Sequence, residues 1–121
     1  MKISKNTLHN LFYEMMRIRC VQSAIEARYL ENEMKTPVHL CIGQEAGAVG
    51  VCASLTKDDY ISSNHRGHGH YLAKGGDLKA LIAELHGREC GCSKGRGGSM
   101  HLIDTSVGDY TNFAEADALN A

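Results

Sequence analysis

A single proline, no glycine before Gly43, and no apolar run near the roughly 20 residues of a membrane-spanning helix set the first limits on this 121-residue chain. Neither sign of charge dominates: 13 basic residues stand against 14 acidic ones, for a net charge of -1. That balance gives no support for nucleic acid or another polyanion as a partner, and a membrane is not expected either. The first ten residues are polar and lack the apolar centre of a secretory signal, so the cytoplasm is the expected compartment. The cysteines, Cys20, Cys41, Cys52, Cys90 and Cys92, are odd in number and mostly isolated, so free thiols rather than a disulfide framework are expected.

What is present describes a globular domain. Hydrophobic residues make up 43% and charged residues 22%, outside the disordered and collagenous ranges. A chain of this length buries roughly two-thirds of its unfolded surface and needs no metal or disulfide staple. From Thr7 to about Glu31, Leu8, Leu11, Phe12, Met15, Met16, Ile18, Ile25 and Tyr29 recur among charged residues, which predicts one amphipathic helix with this stripe in the core. The helix is expected to end before Pro37. Gly43 to Leu55, rich in small residues, predicts a closely packed second helix with Glu45 in its first turn, where the helix dipole favours a carboxylate.

Tyr60 to Ser63 reads as a short strand. Asp77 is a good N-cap for a helix whose Leu78, Leu81, Ile82 and Leu85 share one face, and Gly87 is its stop. The run from Gly87 to Gly98 reads as a flexible polar loop, and the tail from Asp109 has weak helical character.

The 13 glycines cluster where chemistry would be sought. Asn64-His65-Arg66-Gly67-His68-Gly69-His70 follows the expected strand, so a guanidinium and imidazoles stand where the backbone can approach an anion. The same histidines with Cys90 and Cys92 contain the atoms of a zinc site, but the C-x-C pair and the histidine spacing do not fit known zinc modules. Lys94-Gly-Arg-Gly-Gly-Ser-Met-His101 has the composition of a phosphate-cradling loop without the Gly-Lys-Ser/Thr ending of a P-loop. It reads either as the lining of an anionic cofactor or as a mobile surface loop.

Four stretches in order, His39-Leu-Cys-Ile-Gly-Gln-Glu-Ala46, Asp59-Tyr-Ile-Ser-Ser-Asn-His-Arg-Gly-His-Gly-His70, Leu81-Ile-Ala-Glu-Leu-His-Gly87 and Lys94 to His101, resemble one family. It is the amino-terminal part of the alpha subunit of thiamine-diphosphate-dependent 2-oxo acid dehydrogenases, of the pyruvate and acetoin type. The resemblance implies a thiamine-diphosphate-binding α/β fold, of which residues 1–108 are the amino-terminal, mainly helical part and 109–121 a divergent tail. It implies thiamine diphosphate and Mg2+ as cofactors, held between alpha and beta subunits in a heterotetramer. Carried over by position, His65 and Arg66 bind the cofactor diphosphate, many relatives having tyrosine where His65 stands, and His39 and His68 occupy catalytic positions in the active-site channel.

The implied reaction decarboxylates a 2-oxo acid, or cleaves acetoin, and passes the acyl group to a lipoyl-bearing acyltransferase. In the family, the Gly-Asp-Gly motif that binds magnesium lies beyond the position of Val107-Gly108, and these 121 residues do not contain it. The chain is therefore expected to be a truncated, degenerate or split piece, inactive alone. The alternative is a noncatalytic assembly or interaction module derived from the fold.

Overall fold

The structure is a computed structural model that describes residues 2–110; the expected helical tail lies outside the described residues apart from its first two positions. The described part is mainly helical: α1 (Lys5–Tyr29), α2 (Glu45–Cys52), α3 (His68–Ala73) and α4 (Leu78–Leu85), then a hairpin of β1 (Ile103–Asp104) and β2 (Asp109–Tyr110). β1 and β2 pair antiparallel, with Ile103 opposite Tyr110. No larger sheet exists among the described residues. None of the described helices is long and apolar enough to cross a membrane.

α1 starts where Ser4 accepts a hydrogen bond from the Thr7 amide, the usual work of an N-cap serine. Its extent agrees with the periodicity, but the buried face is narrower than the stripe. Ile18, Gln22 and Ile25 are buried, while Leu8, Phe12 and Met16 are exposed, Phe12 to 63%. The reason is coverage. α2 and α3 pack against α1 and each other, and the core gathers Ile18, Cys41, Val49, Tyr71, Leu72, Leu81 and Leu102, while Leu8, Phe12 and Met16 are left exposed by the described residues.

α4 is the helix the sequence describes most fully. Asp77 accepts from the amides of Lys79 and Ala80, and Gly87 follows in the left-handed region at φ +65. α3 was not expected. Its two glycines are poor helix formers, and packing offsets the deficit: a Cβ at Gly69 would stand 3.2 Å from Cys41 Sγ and 3.4 Å from Ala48 Cβ, so glycine lets α3 sit directly on its neighbours.

The run 60–63 is not a strand. Only Ile61 is bridged, its amide donating to the Gly108 carbonyl at 2.9 Å, and no ladder extends along the rest of the run among the described residues. Lys74, buried at the end of α3, donates to the carbonyls of Thr56, at 2.6 Å, and Val107. This side chain fixes the polar turn and the hairpin to the helical core.

Candidate functional site

The site is assembled around residues 39–41, a segment without regular structure. Its backbone polar groups still need partners. Three parts of the chain supply them. The His39 amide donates to Ser99 Oγ at 3.0 Å, the Leu40 carbonyl accepts from the Arg66 guanidinium at 2.5 Å, and the Cys41 amide donates to Gln22 Oε1 at 3.1 Å. Arg66 is itself placed by a tight turn, its amide donating to Asn64 Oδ1 at 3.0 Å just ahead of α3.

These bonds bring His39, His65 and Arg66 together. The rings of His39 and His65 meet edge to face, with centroids 5.0 Å apart and planes at 87°. Nδ1 of His39 is buried and has no hydrogen-bond partner among the described residues. A buried polar atom in that condition costs free energy unless something binds it. Arg66 commits one nitrogen of its fork to Leu40 and is half-buried, and its charge draws the Cys41 thiol pKa down against the larger upward push of burial.

His68 is placed differently from the other two histidines. It is 0% exposed; Nδ1 lies 3.0 Å from Gln22 Nε2 and 3.1 Å from Oε1, and Nε2 lies 2.9 Å from Ser99 Oγ. Burial pushes its pKa down to about 4, so the ring is neutral at physiological pH.

The glycine-rich run is neither a mobile loop nor an open cradle for an anion, because it is already closed around one. The buried Glu84 carboxylate accepts from the amides of Ser93 (2.8 Å), Gly95 (2.9 Å), Gly97 (2.7 Å) and Gly98 (3.0 Å). Convergent backbone amides of this kind form an anion-binding nest, here filled from within. Gly98 sits at φ +62, where a Cβ would strike the Thr36 side chain at 2.5 Å, so close approach and left-handed backbone both require glycine. Lys94 and Arg96 remain exposed on the outside of the nest.

A second buried carboxylate closes the other flank. Glu45 receives a two-pronged contact from Arg19, at 2.5 and 3.2 Å, and the Gly43 amide at 3.0 Å. The Arg19 hydrogen bonds hold its pKa down to about 2. All five cysteines are free, and no group of three or more His, Cys, Asp or Glu among the described residues is arranged to hold a metal ion.

Sequence reasoning named His39, His65, Arg66 and His68, and missed Gln22, Glu84 and Ser99. One signal was available: Gln22 stands between Ile18 and Ile25 on the buried stripe of α1, where an amide needs partners. Glu84 carried a weaker one, a carboxylate on the apolar helix directly before a glycine-rich run.

The family described as dehydrogenase E1 component matches residues 13–116. The alpha subunit of an acetoin:2,6-dichlorophenolindophenol oxidoreductase from Bacillus subtilis is 44% identical over 98 residues, covering 81% of this chain and 29% of the relative. The mitochondrial pyruvate dehydrogenase E1 component subunit alpha of Schizosaccharomyces pombe is 40% identical over 102 residues, covering 84% of this chain and 25% of the relative. A Cupriavidus necator protein with the same name as the Bacillus one is 39% identical over 106 residues, covering 88% of this chain and 32% of the relative. The chain belongs to the dehydrogenase E1 component family and spans between 25% and 32% of the length of these three relatives.

Proposed function

We propose that this chain forms the diphosphate-contacting part of a pyruvate or acetoin dehydrogenase alpha subunit, acting with a beta subunit and a lipoyl-bearing acyltransferase. The observation that carries the reading is the convergence of His39, His65 and Arg66, with His39 Nδ1 left without a partner. That donor set suits a diphosphate. Arg66, steadied by Leu40, keeps the rest of its fork for phosphate oxygens, and an imidazole adds a hydrogen bond beside it. When bound, thiamine diphosphate supplies the thiazolium carbon at which a 2-oxo acid loses carbon dioxide or acetoin is cleaved.

The chain's own contribution is to bind and orient the cofactor. His39 and His65 are half-buried, so they meet a ligand at the protein surface rather than inside the core. Four amides of the glycine-rich run, those of Ser93, Gly95, Gly97 and Gly98, are held by Glu84 and are not offered to the phosphate. Magnesium is assigned to residues outside this chain, which contains no Gly-Asp-Gly run. The free thiols support a reducing compartment, for which we take the cytoplasm.

The test is a calorimetric titration of thiamine diphosphate at fixed magnesium, with the chain complemented by the downstream alpha-subunit segment and a beta subunit. Arg66→Ala is expected to weaken binding by about 2 kcal/mol, within the range for hydrogen bonds to charged groups. Arg66→Lys should recover part of the loss, since an ammonium cannot bind bidentately, and Arg88→Ala should change little. Equal affinity in wild type and Arg66→Ala would reduce Arg66 to a structural partner of the Leu40 carbonyl.

A further inference from the structure

We propose that Gln22, His68 and Ser99 form one positioning frame for His39 and Arg66, in which a neutral His68 spans the two clamps. The inference rests on the reading of residues 39–66 as a cofactor site and assigns the residues that give it shape.

The segment 39–41 belongs to no sheet, so its course depends on the side chains that hold it. Ser99 clamps the His39 amide and Gln22 clamps the Cys41 amide, one residue to either side of the carbonyl that steadies Arg66. His68 joins the clamps, one ring nitrogen on Gln22 and the other on Ser99. All three side chains are buried, with exposures of 0%, 0% and 1%. Ser99 is anchored in turn, because the Gly97 and Gly98 amides are drawn onto Glu84 and the Ser99 amide donates to Thr36 Oγ1 at 3.3 Å.

The donor and acceptor inventory identifies the protonation state this frame accepts. A neutral imidazole offers one donor and one acceptor, and both an amide and a hydroxyl can answer either. An imidazolium would need an acceptor on each side. Gln22 Oε1 and Ser99 Oγ could each accept a second bond, but neither carries the negative charge that would stabilise an imidazolium. The His39 ring also opposes a positive charge on His68. With no surface in water and a bond at each ring nitrogen, His68 acts as a spacer of fixed length. Its leverage comes from geometry: displacement of a positioned group by about 1 Å costs on the order of 100-fold in rate.

Two measurements test this. In the uncombined chain, with 15N-labelled histidines, the His39 and His65 rings should show a mutual contact by NMR, and the His68 ring should show no titration between about pH 5.5 and 8, where an ordinary imidazole would. Ser99→Ala should abolish the ring contact while the rest of the spectrum stays dispersed. If that variant fails to fold, Gln22→Leu, which removes the opposite clamp, is read in the same way. In the complemented assembly, Ser99→Ala should weaken thiamine diphosphate binding by about tenfold or more without moving the pH midpoint of binding, and Ser99→Thr, which keeps the hydroxyl, should restore part of the affinity.

A His68 ring that titrates within that window, or a His39–His65 contact that survives in folded Ser99→Ala, overturns the frame. Failure of the wild-type assembly to bind thiamine diphosphate would instead overturn the proposed function, and the NMR measurements would still decide the frame.

Discussion

An amide in place of the Glu84 carboxylate would turn an NH2 group toward two of the four backbone amides that now donate to it. Glu84→Gln keeps the volume and loses the acceptor, so it isolates the nest from the packing. Loss of charge-assisted bonds with a donor facing donors should cost about 3 kcal/mol or more, read as a lowered urea midpoint. An unchanged midpoint would remove Glu84 as the organiser of this run.

The buried titratable groups make a second residue-level prediction, with signs that agree. His68 has its pKa pushed down from 6.5 to about 4 by burial, so the unfolded chain takes up that proton first; the stability it confers is complete above pH 6.5 and declines as pH falls toward 4. Glu45, held from 4.5 down to about 2 chiefly by Arg19, confers stability above pH 4.5 that is lost as pH falls toward 2. Acid should therefore weaken the fold in two adjoining stages. His68→Asn should flatten the upper stage and Arg19→Ala the lower, in denaturation midpoints collected across the pH range.

Among the elements, α4 lends itself to a clean test. Asp77→Ala removes an N-cap with two amide partners and should cost about 1 kcal/mol in the same denaturation assay. This helix was legible in the sequence because cap, apolar spacing and glycine stop all report the same boundaries. α1 was legible in its extent but not in its buried face: Leu8, Phe12 and Met16 recur every fourth residue just as Ile18 and Gln22 do, and only tertiary coverage by α2 and α3 separates them. α3 left no local signal, since Gly69 serves close approach rather than helix propensity. A strand at 60–63 failed because a β-compatible run still needs a partner along its length, and among the described residues only Ile61 is bridged, its amide to the Gly108 carbonyl. His65 and Arg66 could be named from a contiguous string, whereas Gln22 meets His68 across 46 positions and Ser99 meets it across 31. Such pairings are properties of the fold and cannot be read from a window of sequence.

At the scale of the whole molecule, the exposed Leu8, Phe12, Tyr13 and Met16 give α1 a hydrophobic outer side. Contiguous patches of that kind are seldom left in water. Sedimentation of the purified chain should show a mass that rises with concentration, and Phe12→Glu should lower it; a compact monomer at every concentration would contradict this. The same chain, lacking a Gly-Asp-Gly run, should show no magnesium-dependent turnover of pyruvate or acetoin on its own. Turnover without an added partner would place the metal site within these residues.

Residues 39–41 are held by α1, by the turn before α3 and by the end of the glycine-rich run, three regions that meet only in the finished fold. The site therefore has no half-strength version. A chain that lacks any one of the three holds leaves His39 and Arg66 without their common orientation, and with it the donor set for a polyphosphate. For the same reason, the edge-to-face meeting of His39 and His65 depends on all three holds. A ring-current shift at that pair would report, in a refolding experiment, that the three holds are in place.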